Sequence, residues 1–301
     1  MTDTRQPATL NMLSLNAVGP TAVVKLVAQR RGLFARRDVA VSFVPVQGVQ
    51  VPELSDQHPM GHIGAPAALL NVAAGRDLRI LLCLDSARLT HRLVVRPEIT
   101  TAKALRGRRL GARVPGAALW IHTVMALEQL GLDPARDDIA IPPIGDAAAL
   151  MAALEDGTID GAVLPVAASQ HLAARGFSVL LDLAPLGLHG APDALVATPA
   201  FLQMHPETVK AVVQAMIEAA AFVRTPEGME MAKELIVQEF GLTNAAAAQE
   251  GVTLLVQGLA QNPAPSLERL RAMQRVMARA VPEAAGVDVG RLIQEQAVLF
   301  L

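Results

Sequence analysis

The sequence predicts an α/β protein of two units, each a mostly parallel sheet flanked by helices, with a cleft between them. Three observations carry this. Strand-like and helix-like runs alternate along the chain, the alternation restarts after Pro97, and the final third is helical throughout. Composition allows it: 301 residues suit two domains, and 52% hydrophobic against 18% charged residues is a chain able to bury a core.

The first strand is "TLNMLSLN" (9–16), with alternating apolar positions, and "GPTAVVKLVAQRRGLF" follows as a helix entered through Gly19-Pro20-Thr21 and closed by Gly32. "DVAVSFVPV" (38–46) is the second strand, and "VPELSDQ" is at most one or two helical turns. "MGHIGAPAALL" (60–70) then ends a strand at a glycine turn and starts a helix on Gly64, Ala65 and Pro66. "RDLRILLCLD" (76–85) and "RLVVRPE" (92–98) are strands, the latter stopped by Pro97. The second unit reads as a strand at 109–114, the helix "PGAALWIHTVMALEQLGL", a strand "DIAIPPIG", a helix capped by Asp146, the strand "IDGAVLP", the helix "VAASQHLAARG" and the strand "FSVLLDL". "DALVATPAFLQMHPE" returns to the helical third. Residues 1–94 and 195–301 are therefore expected to form one discontinuous lobe and 95–194 the other, with hinge crossings near 92–96 and 191–198.

A formal charge of −2 with both signs interspersed excludes a nucleic-acid surface and a polybasic membrane patch. No apolar run reaches the length of a membrane span, so no direct membrane insertion is expected. Cys83, the one cysteine, sits in an apolar run and reads as a buried strand residue. Asp56, His58 and His62 lie close in sequence, but Pro59 and Gly61 between the histidines oppose the helix that would set both on one metal, so no metal site is expected. No cofactor motif appears either. The start "MTDTRQ" lacks an apolar secretory core, which implies a cytoplasmic protein if Met1 is the native start, and a periplasmic or cell-surface one if a signal has been removed.

Four helix starts are built of small residues at the carboxyl ends of strands: "NAVGPT" (16–21), "GAPAA" (64–68), "VPGAAL" (114–119) and "LPVAAS" (164–169). Free N–H groups at such starts, without bulky side chains in the way, suit a ligand's oxygen atoms, and ligands in open α/β sheets bind off these strand ends. Starts from both units facing one cleft would hold a ligand from two sides. Arg88 and Arg113 are candidate anion contacts, Asp193 is a candidate cleft residue at the return crossing, and Asp160 a turn cap. His91 lies in the loop before a strand, and His122 reads equally as a cleft or a packing residue. Trp120 and the seven phenylalanines are the only rings available to sandwich a flat ligand, since Tyr is absent. No nucleophile motif such as G-x-S-x-G or a P-loop is present, so binding is expected rather than catalysis.

"LVAQRRGLFARRDVAVSFVPV", "IGAPAALLNVAAGRDLRIL", "LRGRRLGARVPGAAL", "LEQLGLDPARDDI", "ALEDGTIDGAVLP" and "VATPAFLQMHPETVKAVVQAMIEAAAFV" together resemble the substrate-binding proteins of ABC importers of the nitrate, sulfonate and taurine type, over about residues 9 to 300. The resemblance implies the two-lobed periplasmic-binding-protein type II fold, closing on a small anionic molecule such as a sulfonate, carboxylate or nitrate, with an ABC permease as partner. It carries ligand contact to Asn16, Gly19 and Thr21, to Gly64, Ala65 and Pro66, to Ser86, to Pro115, Gly116 and Ala117, and to Pro165; Arg88 and Asp193 join them from the residue reading. His62 stands where the family has the Asp of the "DIG" in its third strand. The same fold also implies an alternative, a cytosolic enzyme or ligand sensor resembling a pyrimidine-precursor synthase or a desulfinase. The synthase's cysteine-rich motif is absent, and Asn16 and Ala17 stand where a desulfinase has its reactive Cys.

Overall fold

The computed structural model describes residues 8–14, 20–46, 51–86, 88–240 and 245–294. The first half runs β1 (Ala8–Ser14), α1 (Pro20–Arg30), β2 (Val39–Pro45), β3 (Met60–His62), α2 (Ala65–Ala73), β4 (Arg79–Leu82), β5 (Arg92–Val95), β6 (Leu110–Gly111), α3 (Ala118–Gln129) and α4 (Ala147–Glu155). Then follow β7 (Gly161–Leu164), α5 (Val166–Ala173), β8 (Ser178–Asp182), β9 (Leu195–Ala197), α6 (Pro199–Met204), α7 (Pro206–Val223), α8 (Pro226–Phe240), α9 (Ala245–Gly258), α10 (Leu267–Met277) and α11 (Val289–Leu292).

The strands make two sheets, ordered β2-β1-β3-β9-β4 and β6-β7-β5-β8. Each sheet holds one reversed strand among the described residues. β9 is antiparallel to β3 and β4, and β5 is antiparallel to β7 and β8. Both are the first strands laid down after the chain changes sheets, so each crossing delivers the chain into the interior of the sheet it enters. All of β5 pairs within the second sheet, so Arg92 to Val94, expected with the first unit, belong by pairing to the second.

Two expected elements are replaced. Residues 51–57 form no helix; Ser55 and His58 instead close a tight turn through mutual backbone hydrogen bonds. The segment 138–145 makes only isolated bridges, Ala140 to Arg109 and Pro143 to Ala112. Pro142 and Pro143 have no N–H to give a ladder, which is why the apolar run stops short of a strand. Asp146 caps α4 as expected, accepting from the Ala149 N–H at 3.0 Å.

Period-two alternation on the first sheet decides what each face buries. Leu10 and Met12 of β1, Met60 of β3 and Leu195 and Ala197 of β9 join the core formed with α1, α7, α8 and α9. The other face carries Ile63, Ile80 and Val196 into a second core with α2, α10 and α11. Trp120, Ile121 and Val124 of α3 enter that same core, so a helix attached to the second sheet packs against the first. Trp120 is 8% exposed there, which removes it from the aromatic contacts anticipated for a ligand. On the second sheet, Ala126 and Leu127 of α3 cover one face, packing with Leu93 and Val163. Leu150 of α4 and Leu172 of α5 cover the other, packing with Val94 and Leu164.

Candidate functional site

The column of side chains that is apolar along the first sheet turns polar at the strands' carboxyl ends. Ser14 of β1 and His62 of β3 are register partners on the α1 face, and Asp193 lies two residues before Leu195, the partner of His62 on β9. Helix α1 brings Thr21 and Lys25, one turn apart, to the same end. Helical side chains lean toward the N-terminus, so the Lys25 stem runs back toward the strand ends. Its Nζ donates to Ser14 Oγ and lies 5.4 Å from the centre of the Phe43 ring. His62 Nε2 stands 3.5 Å from Asp193 Oδ2. Ser14, Thr21, Lys25 and His62 are all buried, whereas the Asp193 side chain is 29% exposed. Asp193 is the member of the cluster that reaches the surface.

The electrostatics follow from that placement. Burial by itself would raise the Asp193 carboxyl, but His62, Thr21 and the Lys25 charge outweigh it and hold the group below its ordinary range. Burial lowers Lys25 below the usual lysine range, with Asp193 opposing the shift. The Asp193 N–H donates to both carboxylate oxygens of Asp85, at 3.1 and 3.2 Å. Thr21 Oγ1 and both ring nitrogens of His62 are buried without a well-formed hydrogen bond among the described residues, and the Asp193 carboxylate is the acceptor that Thr21 Oγ1 and His62 Nε2 face.

Of the residues named from sequence, this end of the sheet brings together Thr21, Gly64 and Asp193. Gly64 has φ +79°, and a Cβ there would lie 3.6 Å from Asp193 Oδ1, so the glycine serves both the turn and the close approach of the carboxylate. The Ala65 N–H donates to Pro192 O at 2.9 Å, and Pro66 has no N–H. This helix start is fastened to the return crossing, and its first amides are not open to an anion as the sequence suggested. Ser86 is half-buried, giving its N–H to Gly258 O at 2.7 Å and accepting Arg269 Nη1 at 3.0 Å on its carbonyl. Arg88 is exposed, its backbone bridged to His189. Asn16 and Gly19 lie outside the described residues.

Pro115, Gly116 and Ala117 lead into α3, and Pro165 is the N-cap of α5. Neither helix is capped by a side chain. Gly116, at φ +80°, would carry a Cβ 3.3 Å from Leu70 and 3.2 Å from Val281, so this turn packs on the first unit. At the same edge of the second sheet stands Arg92, which the sequence reading passed over. β5 is reversed, so its first residue lies beside Leu164, the last of β7. Arg92 Nε donates to Asp182 Oδ2 at 2.9 Å, and Nη1 reaches Ser169 Oγ at 3.5 Å. Arg113 is lowered by burial, with Asp146 opposing. Asp160, expected as a turn cap, instead accepts from the Arg109 N–H at 2.9 Å and pairs with Arg108 at 3.4 Å.

His91 lies in the first crossing, and His122 of α3 packs against it and against the second. Their rings lie 4.8 Å apart, and His122 Nε2 accepts from the Ala191 N–H at 3.2 Å. Burial keeps both neutral, lowering His91 to about 4 and His122 well below its usual value. His122 is therefore a packing residue. Cys83 is buried and its thiol is pushed up by burial. A cavity of about 350 Å³ lies elsewhere, between α3 and α10, lined by Ile121, Met125, Met273 and Val276 with Glu128 and Arg279. It contains none of the polar cluster, and the cluster carries the more specific chemistry. Among the described residues, no group of three or more His, Cys, Asp or Glu is placed to hold a metal ion, and no helix is long and apolar enough to cross a membrane.

The family described as NMT1/THI5 like matches residues 20–228. The taurine-binding periplasmic protein of Escherichia coli (strain K12) is 32% identical over 167 residues, which cover 53% of this chain and 49% of that protein. The match thus spans about half the length of that relative. Among solved structures, the alkanesulfonate-binding protein SsuA from Xanthomonas axonopodis pv. citri, bound to MOPS, superposes with a TM-score of 0.76 at 18% identity, covering 97% of this chain and 99% of that one. The desulfurization enzyme DSZB superposes with a TM-score of 0.66 at 18% identity, covering 96% and 98%. With a family match across most of its length and a shared fold across nearly all of it, the chain belongs to the NMT1/THI5-like family and has the periplasmic-binding-protein fold.

Proposed function

We propose that this protein is a solute-binding protein of an ABC importer, taking a small organic anion that also carries an amine, an aminosulfonate such as taurine, between two lobes. The observation that carries this reading is the Asp193 carboxylate, backed by buried polar groups and the Lys25 ammonium and partly exposed at the end of the first sheet. A carboxylate there repels a simple anion and attracts an ammonium group. The uncapped starts of α3 and α5, with Arg92 nearby, supply the complementary end for a sulfonate. The lobes would be residues 1–94 with 195–301, and 95–194, adjusted so that β5 moves with the second sheet. The relative's name supports the ligand class and a periplasmic setting, and the family resemblance supplies the permease as partner.

Catalysis of the desulfinase kind is disfavoured by the one cysteine, which is buried in the first unit with its thiol held protonated. Calorimetric titration with taurine, ethanesulfonate and nitrate, followed by mass spectrometry of the recovered ligand, tests the proposal. Taurine should bind at least about tenfold more tightly than ethanesulfonate and return unchanged. Equal affinities, or a ligand returned altered, would overturn it.

A further inference from the structure

We propose that Asp85 is a specificity-determining positioning residue, whose carboxylate accepts the backbone N–H of Asp193 and so aims the Asp193 side chain at the ligand. This rests on the reading that Asp193 meets the ligand's amine. The sheet topology supplies the geometry. β9 is reversed and lies between β3 and β4, so the chain enters it between the carboxyl ends of both neighbours. His62, the last residue of β3, faces the Asp193 side chain from one flank at 3.5 Å. Asp85, three residues past the end of β4, holds the Asp193 backbone from the other, its Oδ1 and Oδ2 lying 3.1 and 3.2 Å from the Asp193 nitrogen.

The backbone partners of the return crossing show why a side chain is needed there. Toward β3, Pro192 O accepts from the Ala65 N–H at 2.9 Å and Ala194 O from the Ile63 N–H at 3.2 Å. Toward β4 the ladder stops at the pair Leu82–Leu195, because the chain beyond β4 turns to the α9–α10 connection. Cys83 gives its N–H to Pro263 O at 2.8 Å, and Leu84 O accepts from the Ala260 N–H at 2.8 Å. The Asp193 N–H is thereby left without a strand partner, and the Asp85 carboxylate supplies the acceptor in a charge-assisted bond. A contact residue on a crossing between lobes keeps its direction only when its backbone is tied to one of them. Asp85 ties Asp193 to the first sheet, beside Thr21 and His62, and so sets ligand preference through a backbone amide.

Two measurements on the full chain test this, the first of which needs no ligand. Hydrogen exchange of the Asp193 amide, followed by NMR at pH 7, is compared for the wild type, Asp85→Asn and Asp85→Ala. Asn keeps an acceptor oxygen and Ala has none, so exchange should stay within about threefold of the wild type in Asp85→Asn and rise at least about tenfold in Asp85→Ala. Equal rates in all three would overturn the proposal, whatever the protein binds. The second measurement is the ratio of taurine to ethanesulfonate affinity by titration calorimetry. Asp85→Ala should lower that ratio about tenfold, and Asp85→Asn by no more than about threefold. An unchanged ratio in Asp85→Ala would overturn the positioning role. So would a fall in Asp85→Asn as large as that in Asp85→Ala, since the effect would then belong to the lost charge. A wild type that does not discriminate at all would sink the ligand reading and the specificity role with it, while the exchange rates still decide whether Asp85 anchors the crossing.

Discussion

His62 Nε2 and Asp193 Oδ2 stand 3.5 Å apart, longer than a good hydrogen bond, at the junction of β3 with the reversed strand β9. The pair exists because the chain returns to the first sheet antiparallel to β3, which sets the start of β9 beside the end of β3. Replacing Asp193 by Asn keeps the shape and removes the charge. The expected outcome is a loss of at least about tenfold in aminosulfonate affinity, with no loss and some gain for a plain sulfonate, which the carboxylate repels. Equal losses for both ligands in titration calorimetry would remove Asp193 from amine recognition.

The same substitution has a pH signature. The folded carboxyl sits below its ordinary value, so its contribution to stability is present above the unfolded value and is lost as pH falls through the folded one. Asp193→Asn should therefore destabilise the protein at neutral pH and converge with the wild type in strong acid. Parallel stability curves from pH 7 to pH 3 would contradict this.

His91 behaves with the opposite charge logic. Burial lowers it from 6.5 to about 4, so between those values the unfolded chain binds more protons than the folded one. Stability should rise with pH across that window and level off above 6.5. The effect is at most roughly 3 to 4 kcal/mol, one pKa unit being worth roughly 1.4. His91→Phe keeps a ring against His122 and removes the proton, so its melting temperature should vary less between pH 4 and 6.5. An unaltered slope would assign the acid sensitivity elsewhere.

Gly190 tests the packing of the crossings. A Cβ built there would lie 2.4 Å from His122 Nε2, and the imidazole has the His91 ring beside it at 4.8 Å. Gly190→Ala should cost about 1–3 kcal/mol, the usual range for overpacking. Denaturant melts measure it, and a neutral result would mean that the His122 ring has room to turn aside.

Much of the fold was legible because it rests on local patterns. The alternation of Leu10 and Met12, the Asp146 cap and the glycine turn at Gly64 each report a nearby backbone requirement. The two-sheet division was legible for a similar reason, in the restart after Pro97. The reversal of β5 and β9 was not, since direction within a sheet depends on partners distant in sequence. The polar cluster at the end of the first sheet was named from the sequence in part. Asp193 was visible as an acid at a crossing, and Thr21 and Gly64 as small helix-start residues. Lys25 was missed, although a lone charge in "AVVKLVA" on a helix with buried neighbours is a signal in itself. Its partner Ser14 becomes significant only when α1 folds back over the end of β1. The helix-start amides at Ala65 were misjudged because their acceptor, Pro192, is more than a hundred residues away.

Cys83 offers a direct test of how closed the first unit is beside the cluster. It is 6% exposed, its N–H donates to Pro263 O at 2.8 Å, and its thiol is raised first by burial and then by the Asp85 and Asp193 charges. Alkylation requires both access and a thiolate, and the folded protein supplies neither. Labelling must then wait for an opening of the structure, so the native rate should fall about a hundredfold or more below that of the denatured chain. Asp193→Asn removes one of the charges that keep the thiol protonated without uncovering it, and should leave the native rate controlled by opening. Rapid labelling of the native wild type by a small alkylating reagent, followed by intact-mass measurement, would show an accessible thiolate. That result would return the cysteine chemistry of the desulfinase-like reading to consideration.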